Sequence, residues 1–327
     1  MAVKITFIVG NGLDISLKLK TKYSDFYKYV IENKLAGENR IYKEISNDPE
    51  TWADFEKSLG EHTLYIDTLP ENEREKESIK LHTELDKIRD DLADYLDTQE
   101  KSIENLPEKF LFASNEDGLF EGLNDGQQST IRRLLQNTPI YVNFVTLNYT
   151  KTLEKILDGD AVLKPRGYSL MAPLHLHGTV DLYMTLGVSN ESQLYKGMSL
   201  REKNDLIKSK LIMSANDGRL SSFRRILAGS SVIILFGTSM GETDAYIWAE
   251  IVSWMRQGKD RYVVIHKFDP KYTSKSRRSV RTENAFKESV QERFLQHVHL
   301  NKDTKEALKL KIFVIHNTDK LFVPKSS

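Results

Sequence analysis

The sequence predicts an α/β protein: a doubly wound, mostly parallel sheet with a long helical insertion after its first strand. Three observations lead there. Five short segments are rich in β-branched and aromatic residues, and several are apolar on both faces, as strands are when helices cover both sides of a parallel sheet. Helical patterns separate these segments. The gap between the first and second, roughly Asp14 to Asn137, far exceeds the dozen or so residues that a crossover needs.

The five segments are 4–9 (KITFIV), 140–146 (IYVNFVT), 232–236 (VIILF), 262–266 (YVVIH) and 311–316 (KIFVIH). Residues 174–177 form a further short candidate strand. Within the long gap, Leu81, Leu85, Ile88, Leu92 and Tyr95 recur at helical spacing with charges between them. The charge-rich stretch 71–101 reads as a solvated amphipathic helix, a partner-binding helix being the other reading. The resulting division places residues 1–14 and 138–320 in a Rossmann-like nucleotide-binding domain and residues 15–137 in an inserted helical subdomain. The tail, 320–327, is expected to fray.

Composition narrows the function classes. The 327 residues are 39% hydrophobic and 29% charged, enough apolar material for a core and enough charge for long solvated helices. Lys plus Arg and Asp plus Glu both number 47, so no global basic field attracts nucleic acid. The local basic clusters are Arg224-Arg225 and residues 275–281 (KSRRSVR), each with a solvated loop as its plain reading. Cysteine is absent, which excludes disulfides, zinc-thiolate sites and a cysteine nucleophile. The apolar run from Ile5 to Val9 is too short for a signal-peptide core or a membrane span, so a cytoplasmic location is expected.

Five motifs carry the candidate chemistry. In Gly10-Asn11-Gly12-Leu13-Asp14 a strand ends in Gly-x-Gly, which permits a tight turn and close approach of backbone N–H groups to a phosphate. A plain strand-to-helix turn with Asp14 as N-cap is the alternative. In Thr146-Leu147-Asn148-Tyr149-Thr150 an apolar strand delivers a polar Asn148 to its carboxyl end, where open α/β sheets bind ligands. An Asx turn is the alternative there, and Thr150 is placed to cap the helix expected over 151–157. If 174–177 is a strand, His175 and His177 share a face, which suits a metal or an acid/base role. Gly178 then marks a turn beside a pocket and makes His177 the better catalytic candidate. Gly237-Thr238-Ser239-Met240-Gly241, followed by Asp244, offers hydroxyls and N–H groups to a ribose or phosphate, with capping by Thr243 or Asp244 as the alternative. Its letters fit GxSxG, but no oxyanion motif precedes it. Trp52-Ala53-Asp54-Phe55-Glu56 sets two carboxylates beside two aromatics, and its plain reading is an amphipathic helix whose Trp and Phe enter the core.

Taken in order, Gly10–Asp14, Lys20-Thr21-Lys22-Tyr23-Ser24-Asp25-Phe26, Trp52–Glu56, Leu147–Thr150, His175–Gly178 and Phe236–Ser239 resemble the bacteriophage abortive infection AbiH family, from Phe7 to about Trp248. A more distant resemblance links Gly10-Asn11-Gly12, Thr146–Thr150, His177-Gly178 and Gly237-Thr238-Ser239 to sirtuin-like NAD-consuming domains. That resemblance implies a sirtuin-like sheet in which Gly10 and Gly12 bind phosphate. Asn148 would orient the ribose or the attacking water. His177 would contact ribose hydroxyls and act as general base, and Gly237, Thr238 and Ser239 would hold the adenosine ribose. Asn11, Asp14, Thr146 and Asp244 complete the expected binding set. Thr150 stands where the sirtuin pattern has Asp, and a four-cysteine zinc module cannot exist here, which argues against deacylation.

The function implied is anti-phage abortive infection by hydrolysis of NAD to ADP-ribose and nicotinamide, with NAD as substrate and no metal expected. In that reading His177 has a pKa near working pH. Two alternatives stay open. One is a non-catalytic nucleotide sensor or scaffold. The other is a metal-dependent nuclease using His175, His177 and acids among Asp14, Glu56 and Asp244. NAD or a related dinucleotide is the expected partner, no membrane is expected, and a phage-derived trigger or partner protein and a homo-oligomer are left open.

Overall fold

The computed structural model describes residues 3–47, 55–106, 110–112, 118–136, 138–158, 162–163, 167–272, 279–316 and 321–324. Its strands are β1 (Val3–Val9), β2 (Phe110–Phe112), β3 (Ile140–Thr146), β4 (Val162–Leu163), β5 (Tyr168–Leu170), β6 (Leu174–His175), β7 (Val232–Phe236), β8 (Tyr262–Lys267), β9 (Ile312–His316) and β10 (Phe322–Pro324). Between β1 and β3 run α1 (Gly12–Ser16), α2 (Tyr23–Glu32), α3 (Arg40–Asn47), α4 (Phe55–Asp67), α5 (Glu71–Ile103) and α6 (Asp125–Leu135). After β3 come α7 (Thr152–Leu157), α8 (Leu200–Asn204), α9 (Lys208–Ser214) and α10 (Arg219–Gly229). Helix α11 (Ala245–Arg256) joins β7 to β8, while α12 (Val280–Leu295) and α13 (Lys302–Lys309) precede β9.

Seven strands form one open sheet in the order β5-β3-β1-β7-β8-β9, with β6 beside the end of β3. Every pair in it is parallel. The chain steps outward from β1 to β3 and β5, then returns to the other side of β1 for β7, β8 and β9. That is the doubly wound order of dinucleotide-binding sheets, and its direction reverses at β1. Both faces are buried, which is why the strands are legible as apolar runs. Ile5, Phe7, Val9 and Phe144 enter one core with Ile131 of α6 and Ile156 of α7. Ile8, Val145, Leu235 and Ile265 enter the other, against Phe223 of α10, Trp248 of α11 and Phe294 of α12.

The predicted helix of the insertion is α5, 33 residues and about 50 Å long at 1.5 Å per residue. Leu81, Leu85, Ile88, Leu92 and Tyr95 are all buried along it, as the spacing requires. These side chains share a third core with Phe26, Tyr42 and Leu59, and with Met184, Leu186, Val188 and Leu206 from the segment before α9. The helical lobe therefore draws on chain from after β3 as well as from the insertion.

Three features depart from the expectations. A small sheet, β10-β2-β4, covers one face, with Phe112 and Phe322 packed on Phe7. The segment expected to fray contributes β10, which pairs antiparallel with β2 because Phe322 has an aromatic cluster to enter. Strand β6 stops at His175 rather than running to 177. Residues 273–278, most of one basic cluster, lie outside the described residues. Among the described residues, no helix is long and apolar enough to cross a membrane.

Candidate functional site

A cleft of about 1340 Å³ opens at the carboxyl ends of β1, β3, β7 and β8, where the sheet reverses direction. Gly10, Asn11, Gly12, Asp14, Asn148, His177, Gly237, Thr238, Ser239 and Asp244 all line it, so residues up to 234 positions apart in sequence meet at one place. Thr146 does not line it.

The glycines first serve packing. A Cβ on Gly12 would lie 2.5 Å from Gly237 Cα, and one on Gly10 would lie 2.7 Å from Gly237 O. The turns after β1 and β7 thus touch backbone to backbone, with Gly237 at φ +67. Gly10 N–H donates to Phe236 O at 2.9 Å, and Gly12 N–H to Gly237 O at 2.8 Å. The Gly12 N–H expected to be open to a phosphate is therefore already engaged. Asn11 is a clamp: its Nδ2 donates to Thr21 O at 2.7 Å, and Thr21 Oγ1 donates to its Oδ1 at 2.6 Å.

Asp14 caps no helix. It sits inside α1, fully buried, and accepts from Asn148 Nδ2 at 3.1 Å and Thr150 Oγ1 at 2.7 Å. Burial raises its pKa, and the hydrogen bonds from Thr150, Thr152, Asn148 and Thr21 oppose that. Thr150 thus takes no capping role at α7, whose N-cap is Lys151. The Asp14 carboxylate thus ties the turn after β1 to the turn after β3. Thr146 Oγ1 accepts from Asn148 N–H at 3.1 Å and so shapes the same turn from behind. One atom of this group, Asn148 Oδ1, is buried and has no hydrogen-bond partner among the described residues.

The two histidines do not share a face. His175 Nδ1 bonds Asn148 O at 3.0 Å and its Nε2 bonds Glu154 Oε1 at 2.5 Å. After it the chain turns through Gly178 at φ +83, where a Cβ would lie 2.3 Å from Tyr183 O. His177 swings into the cleft wall, 3% exposed, with Nε2 2.9 Å from Tyr246 Oη and 3.6 Å from Asp244 Oδ1. Burial, then the Lys208 ammonium, push its pKa down to about 4, not near neutrality as expected. Its imidazole is neutral at pH 7. Among the described residues, no group of three His, Asp or Glu is arranged to hold a metal ion.

Lys208, at the start of α9, is the residue that sequence reasoning missed. It is 2% exposed and donates to Glu56 Oε2 at 2.6 Å and to Asp244 Oδ1 at 2.8 Å. Glu56 belongs to the Trp52–Glu56 motif, of which Trp52, Ala53 and Asp54 lie outside the described residues. Its other oxygen accepts from Gly187 N–H at 3.3 Å. Two carboxyl groups therefore face one ammonium in a buried setting. Burial pushes Glu56 up, with Lys208 opposing and Asp244 adding. Burial also opposes charge on Asp244, but Lys208 and His177 outweigh it and hold that carboxylate below its usual range. Lys208 stays protonated despite burial because Asp244 and Glu56 flank it. No local signal marks this lysine in Lys208-Ser209-Lys210; its burial follows from partners 152 and 36 positions away.

The loop after β7 is fixed by side chains of α11, α12 and the segment after α12. Trp248 Nε1 donates to Gly241 O at 2.9 Å, Arg293 Nε to Ser239 O at 3.0 Å, and His297 Nε2 bonds Met240 O at 2.9 Å. Asp244 is N-cap of α11 by position, but its carboxylate serves Lys208 rather than the helix. These contacts leave the Thr238 and Ser239 side chains at the cleft surface.

A comparison with curated proteins finds no match. The family model described as bacteriophage abortive infection AbiH matches residues 6–266, a span that holds every cleft residue named above, and the chain belongs to the AbiH family.

Proposed function

We propose that this chain cleaves the bond between nicotinamide and ribose in an NAD-class dinucleotide, as its part in abortive infection. Membership of the AbiH family implies a role in phage abortive infection; the chemistry is our reading of the cleft. The observation that carries it is Asn148, which lines the cleft: its amide donor is held by the Asp14 carboxylate, and its buried Oδ1 has no hydrogen-bond partner among the described residues.

Cleavage breaks the C1′–N bond, and nicotinamide leaves with the electron pair. Positive charge builds on the ribose, as at other glycosidic carbons. An oriented carbonyl dipole and a buried carboxylate both stabilise that charge, more strongly where water is excluded. Asn148 Oδ1 supplies the dipole, and Asp244, held ionised beside Lys208, supplies the carboxylate; Glu56, pushed up to about 7 by burial, adds only a partial charge. Water adds its oxygen to C1′ and gives up a proton, yielding ADP-ribose. The Tyr246 hydroxyl, bonded to His177 Nε2 at 2.9 Å, passes its proton to that nitrogen as it takes up the one from water, and the imidazolium then faces Asp244 at 3.6 Å. The cleft volume, above the roughly 300–1,000 Å³ of ordinary ligand pockets, admits a dinucleotide.

The low basicity of His177 favours one second reading, a nucleotide sensor without turnover. Release of nicotinamide from NAD by the purified chain separates the two. Release that disappears in Asn148→Ala, with the fold intact by circular dichroism, supports cleavage. Saturable NAD binding with no release under any condition, phage lysate included, supports the sensor.

A further inference from the structure

The carboxyl end of β8 closes the cleft three strand spacings from β3, about 14 Å at 4.7–4.9 Å each. The two ends differ in charge. The acidic residues lining the cleft are Asp14, Glu56 and Asp244, and each is already engaged by Asn148 and Thr150 or by Lys208. At the β8 end the wall carries Lys267, partly buried, whose side chain makes no hydrogen bond with any described residue and has the Asp269 carboxylate as its nearby opposite charge. Arg293 acts on it as a second positive charge and is tethered through Nε to Ser239 O, on the loop beside it. Two like charges kept together beside an open cleft are unfavourable until an anion arrives. Burial and then Arg293 weaken the hold of Lys267 on its proton, Asp269 opposes them only in part, and an incoming dianion would reverse the effect of Arg293.

We propose that Lys267, backed by Arg293, binds a phosphate monoester on the adenosine half of the ligand, so that the cleft prefers a 2′-phosphorylated dinucleotide to the unphosphorylated one. The inference rests on the reading above in placing a dinucleotide across the strand ends with its nicotinamide half at Asn148. It adds the substrate class. The ribose hydroxyls of the adenosine half then lie at Thr238 and Ser239, one strand from Lys267. The added phosphate meets a lysine whose ammonium makes no hydrogen bond among the described residues, and charge-assisted hydrogen bonds give the discrimination.

Calorimetric titration of the full chain with adenosine 2′,5′-bisphosphate and with AMP tests this without requiring turnover. The bisphosphate is expected to bind about tenfold more tightly, the gain of one good charge-assisted contact. Lys267→Gln should bring the ratio of the two affinities close to one, and Lys267→Arg should restore most of it. Equal affinities in the unaltered chain, equal weakening of both ligands by Lys267→Gln, or no binding of either ligand would overturn the proposal. Nicotinamide release from the two dinucleotides, run in parallel, keeps the two readings apart. Equal cleavage of both with an affinity ratio near one removes the phosphate preference and leaves cleavage standing. A clear preference with no release does the reverse.

Discussion

A carboxamide that donates to a buried carboxylate is polarised, and its oxygen becomes a better acceptor. Asn148 is in that state, with Asp14 on its donor side and Thr146 and His175 fixing its backbone. Replacing Asp14 by Asn removes the negative charge from the acceptor and one of its two acceptor oxygens, so the Asn148 amide is less polarised and less firmly held. Nicotinamide release is expected to fall about 100-fold in Asp14→Asn, comparable to removing one oriented group from a charge-stabilising site. Thr150→Ala leaves the Asp14–Asn148 bond in place and should cost much less, and steady-state rates of the two variants check the order. Buried histidines give a separate test. Burial pushes His266 down to about 3, below its unfolded value near 6.5. The unfolded chain therefore binds the extra proton first, so the stability due to the neutral form is complete above about pH 6.5 and drains away as pH falls toward 3. Melting temperatures should show the native chain losing stability relative to His266→Gln across that window. A difference that stays constant with pH would contradict it.

Two contacts between elements hold the cleft in shape. The first is the backbone contact of the turns after β1 and β7. A Cβ at Gly12 has Gly237 Cα 2.5 Å away, and backbone cannot yield as a flexible side chain can. Gly12→Ala should destabilise by about 1–3 kcal/mol, the range for forced overpacking, measured by denaturant unfolding. The second is the ion cluster that joins α4, α9 and the turn before α11. Lys208→Met leaves Glu56 and Asp244 facing each other in a buried site, at an expected cost of about 3–5 kcal/mol. Adding Glu56→Gln should recover part of that loss, and additive losses in the double variant would deny the coupling. The elements also show what the sequence could reveal. β1, β3, β7, β8 and β9 were legible because both faces of each are buried, which forces β-branched runs. Strands of two or three residues, such as β2, β4 and β10, carry too few side chains for any period to show. The shared face expected for His175 and His177 failed because Gly178 turns the chain just past β6. Lys208 was illegible because only distant partners make its burial tolerable.

Across the whole molecule, one sheet places the ends of β3, β1, β7 and β8 in a row, and a helical lobe stands over them. Glu56 comes from that lobe and Asp244 from the sheet, so the cleft is complete only when the two are together. The lobe also explains a length that no crossover needs: α5 supplies Leu92 and Leu96 to the cleft wall and anchors α2, α3 and α4 through its buried stripe. Gly10, Asn148, His177 and Gly237 could each be picked out from local sequence, but their convergence on one wall depends on the return of the chain to β7. The most direct test of cleavage is NAD content in phage-infected cells that express either the native chain or Asn148→Ala at equal levels. NAD should collapse with the native chain and hold steady with Asn148→Ala, which should also lose protection. Protection that persists while NAD stays constant in the native chain would contradict the cleavage reading.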